Sequence, residues 1–251
     1  MPDQPAQQPP PVQRLRLRYA KRGRLRFTSH RDFSRAFERA IRRAGLPIAF
    51  SSGFSPHPRI SYANASPTGS SSEAEYLEIS LAEACDPDDV RARLDEALPP
   101  GLDVVEVVVA SPGALADRLE AGQWRVELPG VAPQDLEAAV AAFLATDTVE
   151  VERMTKRGMR TFDTRGAVVR LEARVEPVSG PDSSLECAIL EVVVRHGTPA
   201  VRPDDILAGL REVCGLAAPV PPRQTRLAQG PLDAQTGKVG DPLAPDRDAT
   251  A

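Results

Sequence analysis

One histidine lies in a loop sequence that would hold its imidazole in a fixed position. His57 stands between Pro56 and Pro58 in the run F-S-S-G-F-S-P-H-P-R, residues 50–59. The prolines block helix formation and ladder pairing and keep the backbone extended, so they predict a stiff loop. Gly53 permits close backbone approach, and its amide with the nearby serines could bind an anionic oxygen. The competing interpretation is a rigid connector whose Phe54 plugs the core.

A second histidine, His30, stands at the start of a predicted amphipathic helix. Ser29 is the predicted N-cap, an apolar stripe begins at Phe33, and Gly45 predicts the end of the helix. The opposite side of this helix carries Arg31, Arg35, Arg39 and Arg42. Because helix N-termini favour anions, His30 could help to hold a phosphate. The alternative is a histidine that only satisfies the helix end, and the third histidine, His196, is interpreted as structural.

The distribution of charge supports a polyanionic partner. The 251-residue chain has a formal net charge of −4, yet residues 14–59 contain 13 Lys or Arg and only two acids. That segment has a net charge of +11, and the rest of the chain has −15. We expect the 13 cations to collect on one exposed surface, where they would attract RNA or DNA. Phe54 and Tyr62 are predicted to be able to stack on a base.

The order of predicted elements favours an α+β fold with two tandem ferredoxin-like (βαββαβ) subdomains. Residues 14–112 form the basic subdomain and residues 113–218 the acidic one, in which we expect helices over Pro133 to Ala145 and Pro203 to Val213. The alternation in residues 24–27 predicts a strand whose Leu25 and Phe27 share the apolar face. Residues 1–13 and 219–251 are rich in proline and poor in apolar side chains, so both are predicted to be disordered tails.

Composition excludes several classes of protein. The chain has no apolar run of the roughly 18 residues that a membrane helix needs and no signal-peptide pattern, so we expect a cytoplasmic protein. Its three cysteines lie far apart, which argues against a disulfide framework, a metal site or an iron–sulfur cluster. There is no G-x-x-x-x-G-K-[ST] motif, so nucleotide hydrolysis is rejected and no cofactor is expected.

Three runs taken together resemble a known family. These are R-F-T-S-H-R-D-F-S-R-A-F-E-R-A-I-R-R-A-G-L-P from Arg26, S-S-G-F-S-P-H-P-R-I from Ser51, and G-S-S-S-E-A-E-Y-L-E-I from Gly69. They are similar to the radical-SAM-linked protein family, in which this domain is fused to, or encoded beside, a radical SAM enzyme. The family pattern falls on His30, Asp32, Arg35, Arg39, Gly53, Phe54, His57, Pro58, Gly69, Ser72, Glu75 and Tyr76. The chain departs from it at Arg31, where many relatives have an apolar residue, and at Ser55, where they have Asn.

The resemblance implies an accessory domain that recognises substrate for a separately encoded radical SAM protein. The chain lacks the C-x-x-x-C-x-x-C with which to hold its own cluster. The first hypothesis is therefore a non-catalytic, RNA-binding adaptor acting on tRNA or rRNA. The residues predicted to bind nucleic acid are His30, Arg31, Arg35, Arg39, Arg42, Gly53, Phe54, Ser55, His57 and Arg59.

Two alternatives remain open on the sequence alone. One is a metal-independent endoribonuclease in which His30 and His57 act as base and acid, since histidine titrates near neutral pH. It requires both rings to converge on one phosphate. The other is a protein-interaction module whose basic face binds an acidic partner.

Overall fold

The computed structural model describes residues 7–155, 158–177 and 186–249. These residues form a mixed α+β protein with two compact units. Unit 1 extends up to Arg118 and resumes at Asp241, and unit 2 comprises Leu119–Gly240. The predicted boundary after residue 112 is therefore several residues too early, and unit 1 is discontinuous in sequence. Within the described ranges, no helix is both long and apolar enough to cross a bilayer.

Strands and helices are numbered in chain order. The strands are β1 (Gln13–Lys21), β2 (Ile60–Ala63), β3 (Ser71–Leu81), β4 (Leu102–Val109), β5 (Ala121–Leu128), β6 (Glu150–Thr155), β7 (Gly158–Asp163), β8 (Val168–Pro177), β9 (Glu186–Arg195) and β10 (Arg223–Gly230). The α-helices are α1 (His30–Arg43), α2 (Pro87–Ala97), α3 (Pro133–Ala145), α4 (Pro203–Cys214) and α5 (Ala244–Asp248).

The sheet of unit 1 has the order β4-β1-β3-β2, and every neighbouring pair is antiparallel. Because side chains alternate along a strand, Leu15, Leu17 and Tyr19 of β1 share one face. That face packs on α1 and α2 in a single apolar core. The arginines at positions 14, 16 and 18 point to the other face, as the alternation predicts.

The short segment after β1 differs from its prediction. Residues Gly23–Phe27 form a 3₁₀ helix, and the Thr28 amide donates to the Leu25 carbonyl at 2.9 Å. Leu25 packs against the core, but Phe27 is 60% exposed. The prediction of a strand is therefore wrong. A 3₁₀ helix has three residues per turn, so Leu25 and Phe27, which are two residues apart, point in different directions.

The face of the sheet opposite the helices is covered by residues from the end of the chain. The Arg16 guanidinium is fully buried there and donates to Asp246 Oδ1 at 2.7 Å and to Glu78 Oε2 at 3.0 Å. Arg118 donates to Asp246 Oδ2 at 2.8 Å, and Leu243 is fully buried. The prediction of a disordered tail over residues 219–251 is therefore wrong, since this stretch contains β10 and α5.

The tail predicted at the N-terminus is only partly within the described residues. Residues 1–6 lie outside them, whereas Gln13 already belongs to β1. The Val12 amide donates to the Leu81 carbonyl at 2.8 Å, so ladder pairing begins one residue earlier. The strand therefore starts just inside the predicted tail.

Unit 2 contains a sheet with the order β10-β5-β9-β8 and the helices α3 and α4. The predicted helix over Pro133–Ala145 is confirmed residue for residue as α3. Strand β6 does not join this sheet and pairs with β7 in a separate two-stranded ribbon. The fourth strand of the sheet is β10, which lies in the region predicted to be a tail.

Candidate nucleic-acid interface

Helix α1 begins and packs as its sequence predicts. Ser29 caps it, because the Ser29 Oγ accepts a hydrogen bond from the Asp32 amide at 3.2 Å and donates one to the Asp32 carboxylate at 2.7 Å. Phe33, Phe37 and Ile41 are buried in the core of unit 1. This anchoring fixes which side of the helix faces outward.

The outward side carries four exposed arginines, which we call the arginine stripe. They are Arg31, Arg35, Arg39 and Arg42. At 100° per residue they fall within about 80° of the helix circumference, and they span about 16 Å of its axis. None of the four forms an ion pair with any residue that the structure describes. The stripe therefore offers guanidinium donors that are free to bind an anion.

One edge of α1 packs against strand β2. The rings of His30 and Tyr62 meet edge to face with centroids 4.9 Å apart, and Tyr62 also meets Phe33 edge to face at 5.9 Å. Burial raises the pKa of the Tyr62 hydroxyl, and the nearby charge of Glu38 raises it further. Tyr62 is thus engaged in packing, so the prediction that it stacks on a base is not supported by its position. His30 remains exposed.

The loop of residues 50–59, which we call the histidine loop, is closed at its base like a hairpin. Phe50 pairs with Pro58 in an isolated bridge. The Ser51 amide donates to the His57 carbonyl at 2.9 Å, and the His57 amide donates to Ser51 Oγ at 3.0 Å. Gly53 adopts φ +129°, which an L-residue rarely adopts. The loop is therefore held at both ends around a turn that requires glycine.

The tip of the histidine loop presents an aromatic side chain to solvent. Phe54 is 81% exposed, which excludes the interpretation that it plugs the core. Ser55 is also exposed. Phe50, at the base of the loop, is 40% exposed. Large exposed aromatic rings near unpaired arginines are the combination that single-stranded nucleic acids use for stacking and charge neutralisation.

The base of the histidine loop forms one wall of an open cleft of about 600 Å³, which we call the loop cleft. Its floor is the face of the sheet opposite α1, with Arg14, Ser61, Glu78 and Ser80. Its wall includes His57 and Arg59, both exposed. The Arg59 Nε donates to the Phe50 carbonyl at 3.1 Å, which orients the guanidinium.

The structure separates residues that the sequence prediction grouped. His30 contacts Tyr62 on the side of the sheet that α1 covers, whereas His57 lines a cleft whose floor is the opposite face.

The expectation that all 13 cations share one exposed surface is wrong. Arg16 is buried beside Asp246, and Arg22 pairs with Glu73 and Asp103. The carboxylates that neutralise these arginines come from unit 1 itself.

Several family-motif residues have supporting positions within unit 1. Glu75 and Ser72 are buried, and Glu75 Oε2 accepts from the Ser66 amide at 3.0 Å. The Gly69 amide donates to the Arg26 carbonyl at 2.7 Å. Burial, with the charge of Asp241, raises the pKa of Tyr76 to about 12. These contacts fix the loop that precedes β3.

In unit 1, the burial of two cations was not predicted from the sequence. Lys21 is 5% exposed and donates to the Pro67 carbonyl at 3.3 Å, and Arg16 is fully buried. Both lie in an alternating basic segment that looks like a solvated face, so their sequence positions give no signal of burial. No group of three or more potential metal-ligating side chains occurs in the part of the chain that the structure describes.

Comparison with known proteins gives one family and several solved structures of low similarity, two of which are described here. No curated protein matches the chain. A structure titled "Crystal Structure of a Cbf5-Nop10-Gar1 Complex" is 13% identical over 91% of this chain, with a TM-score of 0.41, and the chain spans 54% of its length. A structure titled "Crystal Structure of an Unknown Protein from Galdieria sulphuraria" is 14% identical over 85% of this chain and 98% of its own, with a TM-score of 0.24. The profile of one family matches residues 14–203, and the chain therefore belongs to the family described as "Uncharacterized protein conserved in bacteria (DUF2344)".

Proposed function

We propose that this protein is a non-catalytic RNA-binding accessory protein that presents tRNA or rRNA to a radical SAM enzyme. The observation that carries the RNA-binding part is the arginine stripe. Four exposed guanidinium groups on one side of a well-anchored helix lack ion-pair partners among the described residues. A partner that supplies several negative charges at regular spacing satisfies them, and a nucleic-acid backbone has this property.

The dimensions of the arginine stripe match a short stretch of nucleic acid. Its length of about 16 Å corresponds to four or five nucleotides at roughly 3.4 Å per nucleotide. Four neutralised phosphates predict that the logarithm of affinity for single-stranded RNA falls against the logarithm of salt concentration with a slope of about −3.

The histidine loop adds contacts of a different kind. Phe54 offers a ring for stacking, and His57 with Arg59 offers donors. Strand β2 pairs only with β3 among the described strands of unit 1, so it forms an edge of that sheet. A single strand of RNA that crosses this edge reaches the arginine stripe on one side and the loop cleft on the other. Phosphate contacts position such a strand, and stacking and base contacts select it.

The radical SAM partner rests on the motif resemblance alone. The chain supplies no cysteine cluster of its own, since its three cysteines are widely spaced. We assign the radical chemistry to a separate polypeptide in the cytoplasm. The proposal also includes two tandem ferredoxin-like subdomains, which the strand orders β4-β1-β3-β2 and β10-β5-β9-β8 support.

Fluorescence anisotropy with a labelled single-stranded RNA of about 12 nucleotides at several salt concentrations tests RNA binding. Arg35→Ala/Arg39→Ala removes two phosphate contacts and should change the salt slope from about −3 to about −1.5. The control Arg195→Ala/Arg211→Ala removes the same charge from exposed positions in unit 2 and should bind like the wild type. Equal loss in both variants, or an affinity that does not depend on salt, refutes the proposal.

Affinity purification from cells with and without ribonuclease tests the partner. We expect a polypeptide with a C-x-x-x-C-x-x-C motif to co-purify, because the proposal requires that the enzyme and this protein share one RNA substrate. Recovery of RNA without any radical SAM protein would leave RNA binding intact and remove the accessory role.

A further inference from the structure

The floor of the loop cleft is built by strand register. Ser61 of β2 is paired with Glu78 of β3, and Glu78 is in turn paired with Arg16 of β1. Ser80 is paired with Arg14, two residues further along the strands. Paired residues in a sheet point to the same face, so hydroxyls, a carboxylate and a guanidinium converge on one surface.

The charges in the loop cleft are unequally balanced. Glu78 Oε2 accepts from the buried Arg16, and Glu78 Oε1 lies 3.6 Å from Arg14, so this carboxylate lies between two cations. Arg59 forms no ion pair with a described carboxylate, and His57 beside it is exposed. The carboxylate on the floor is therefore matched by cations, whereas the Arg59 cation on the wall is not matched by a described carboxylate.

This arrangement matches the parts of a nucleotide. A phosphate needs hydrogen-bond donors and positive charge: the Arg59 guanidinium supplies both at the wall, and the His57 ring can supply a further donor. A sugar hydroxyl can donate a hydrogen bond to a carboxylate oxygen, and Glu78 lies on the floor with a side chain that is 17% exposed. The volume of about 600 Å³ lies within the usual range of small-ligand sites.

We propose that the loop cleft binds one ribonucleotide, with its phosphate at Arg59 and His57 and a sugar hydroxyl at Glu78 and Ser61. A second cavity of about 310 Å³ shares Arg14, Ser61 and Glu78 and gives room for the neighbouring nucleotide. The inference rests on the proposed function in taking the ligand to be part of an RNA chain. It adds a preference for RNA over DNA, because only ribose carries the 2′-hydroxyl.

Isothermal titration of the full chain with each of the four ribonucleoside 5′-monophosphates, and with their 2′-deoxy counterparts, tests the cleft. We expect at least one ribonucleotide to bind and its deoxy form to bind several-fold more weakly. Arg59→Gln should lower the affinity by roughly tenfold or more, because it removes a charge-assisted contact with the phosphate. The control Arg195→Ala/Arg211→Ala should leave it within about twofold of the wild type, since neither residue lines the cleft.

Glu78→Gln should remove most of the preference for ribose while retaining phosphate binding. If this variant does not fold because it weakens the contacts of Arg16, Ser61→Ala provides the same test from the neighbouring strand. Absence of binding by all four ribonucleotides overturns the inference, and so does equal binding of the ribo and deoxy forms. RNA binding that depends on the arginine stripe but not on Arg59 also overturns it, and in that case the proposed function stands. If monophosphates bind but RNA does not, the nucleotide site in the cleft is supported and the proposed function is refuted.

Discussion

The buried ion cluster around Asp246 should dominate the stability of unit 1. Asp246 Oδ1 accepts from Arg16 at 2.7 Å, from the Ser111 amide at 2.8 Å and from the Ser111 hydroxyl at 2.6 Å. Asp246 Oδ2 accepts from Arg118 at 2.8 Å. Asp246→Asn leaves the fully buried Arg16 short of one compensating charge, and breaking a buried pair in this way costs about 3–5 kcal/mol.

Urea unfolding provides the assay. At a slope of about 2 kcal/mol per molar, the loss corresponds to a midpoint about 2 M lower than that of the wild type. The three tyrosines lie in unit 1 and the single tryptophan lies in unit 2, so near-ultraviolet circular dichroism of tyrosine and fluorescence of Trp124 report the two units separately. The matched control is Asp248→Asn, which removes an exposed carboxylate of the same helix and should leave the midpoint unchanged. If Asp246→Asn behaves like this control, the argument from buried charge is refuted.

The loss of stability caused by Asp246→Asn should also depend on pH. Burial alone would raise the pKa of Asp246, but hydrogen bonds from Ser111, the charge of Arg16 and a hydrogen bond from Arg118 outweigh it and hold the pKa below its usual value. A carboxyl whose pKa is lower in the folded state stabilises the fold above its unfolded pKa, and this stabilisation is lost as the pH falls through the folded pKa. The difference between the wild type and Asp246→Asn should therefore shrink as the pH falls below about 4. A difference that stays constant down to pH 2 would contradict this assignment.

Three further predictions concern other parts of the molecule. Ser29→Ala should lower the free energy of unfolding by about 1 kcal/mol in urea titrations, because it removes the cap of α1; no change would mean that the cap is not needed. Phe54→Ala should weaken binding of single-stranded RNA by about 1–3 kcal/mol without changing the salt slope, because it removes stacking and no charge. Burial lowers the pKa of His196, so protonation of the unfolded chain should reduce stability as the pH falls below about 6.5. His196 Nδ1 contacts the Leu119 carbonyl at 2.7 Å, and the side chain of His196→Asn can still donate to that carbonyl. This variant should lose the decrease in stability below a pH of about 6.5. If the decrease persists in the variant, another group causes it.

Patterns of residue type predicted those parts of unit 1 whose structure depends on residues close in sequence. The spacing of Phe33, Phe37 and Ile41 with the cap at Ser29 predicted α1 and its exposed arginines, because a helix repeats every 3.6 residues. The prolines that flank His57 likewise predicted a stiff loop, since they restrict the backbone of their own segment.

Contacts between distant parts of the chain were not predictable in the same way. Arg16 looks like a solvent-facing residue in an alternating strand, and its partner Asp246 lies 230 residues further along the chain. Strand β10 buries Gln224 and Arg226, so a search for apolar periodicity does not find it. The loop cleft escaped prediction for a related reason, because its floor depends on which residues of β1, β2 and β3 are paired.

The discontinuity of unit 1 has a consequence for its synthesis. All of unit 2 is translated before the ribosome reaches Leu243 and Asp246, so the arginine face of the first sheet stays uncovered during that time. A nascent chain in which Arg16 and Arg118 still lack Asp246 would attract polyanions, including ribosomal RNA, until α5 docks. Premature termination within residues 119–240 would therefore yield a product whose first unit lacks its closing helix, although most of its residues had been made.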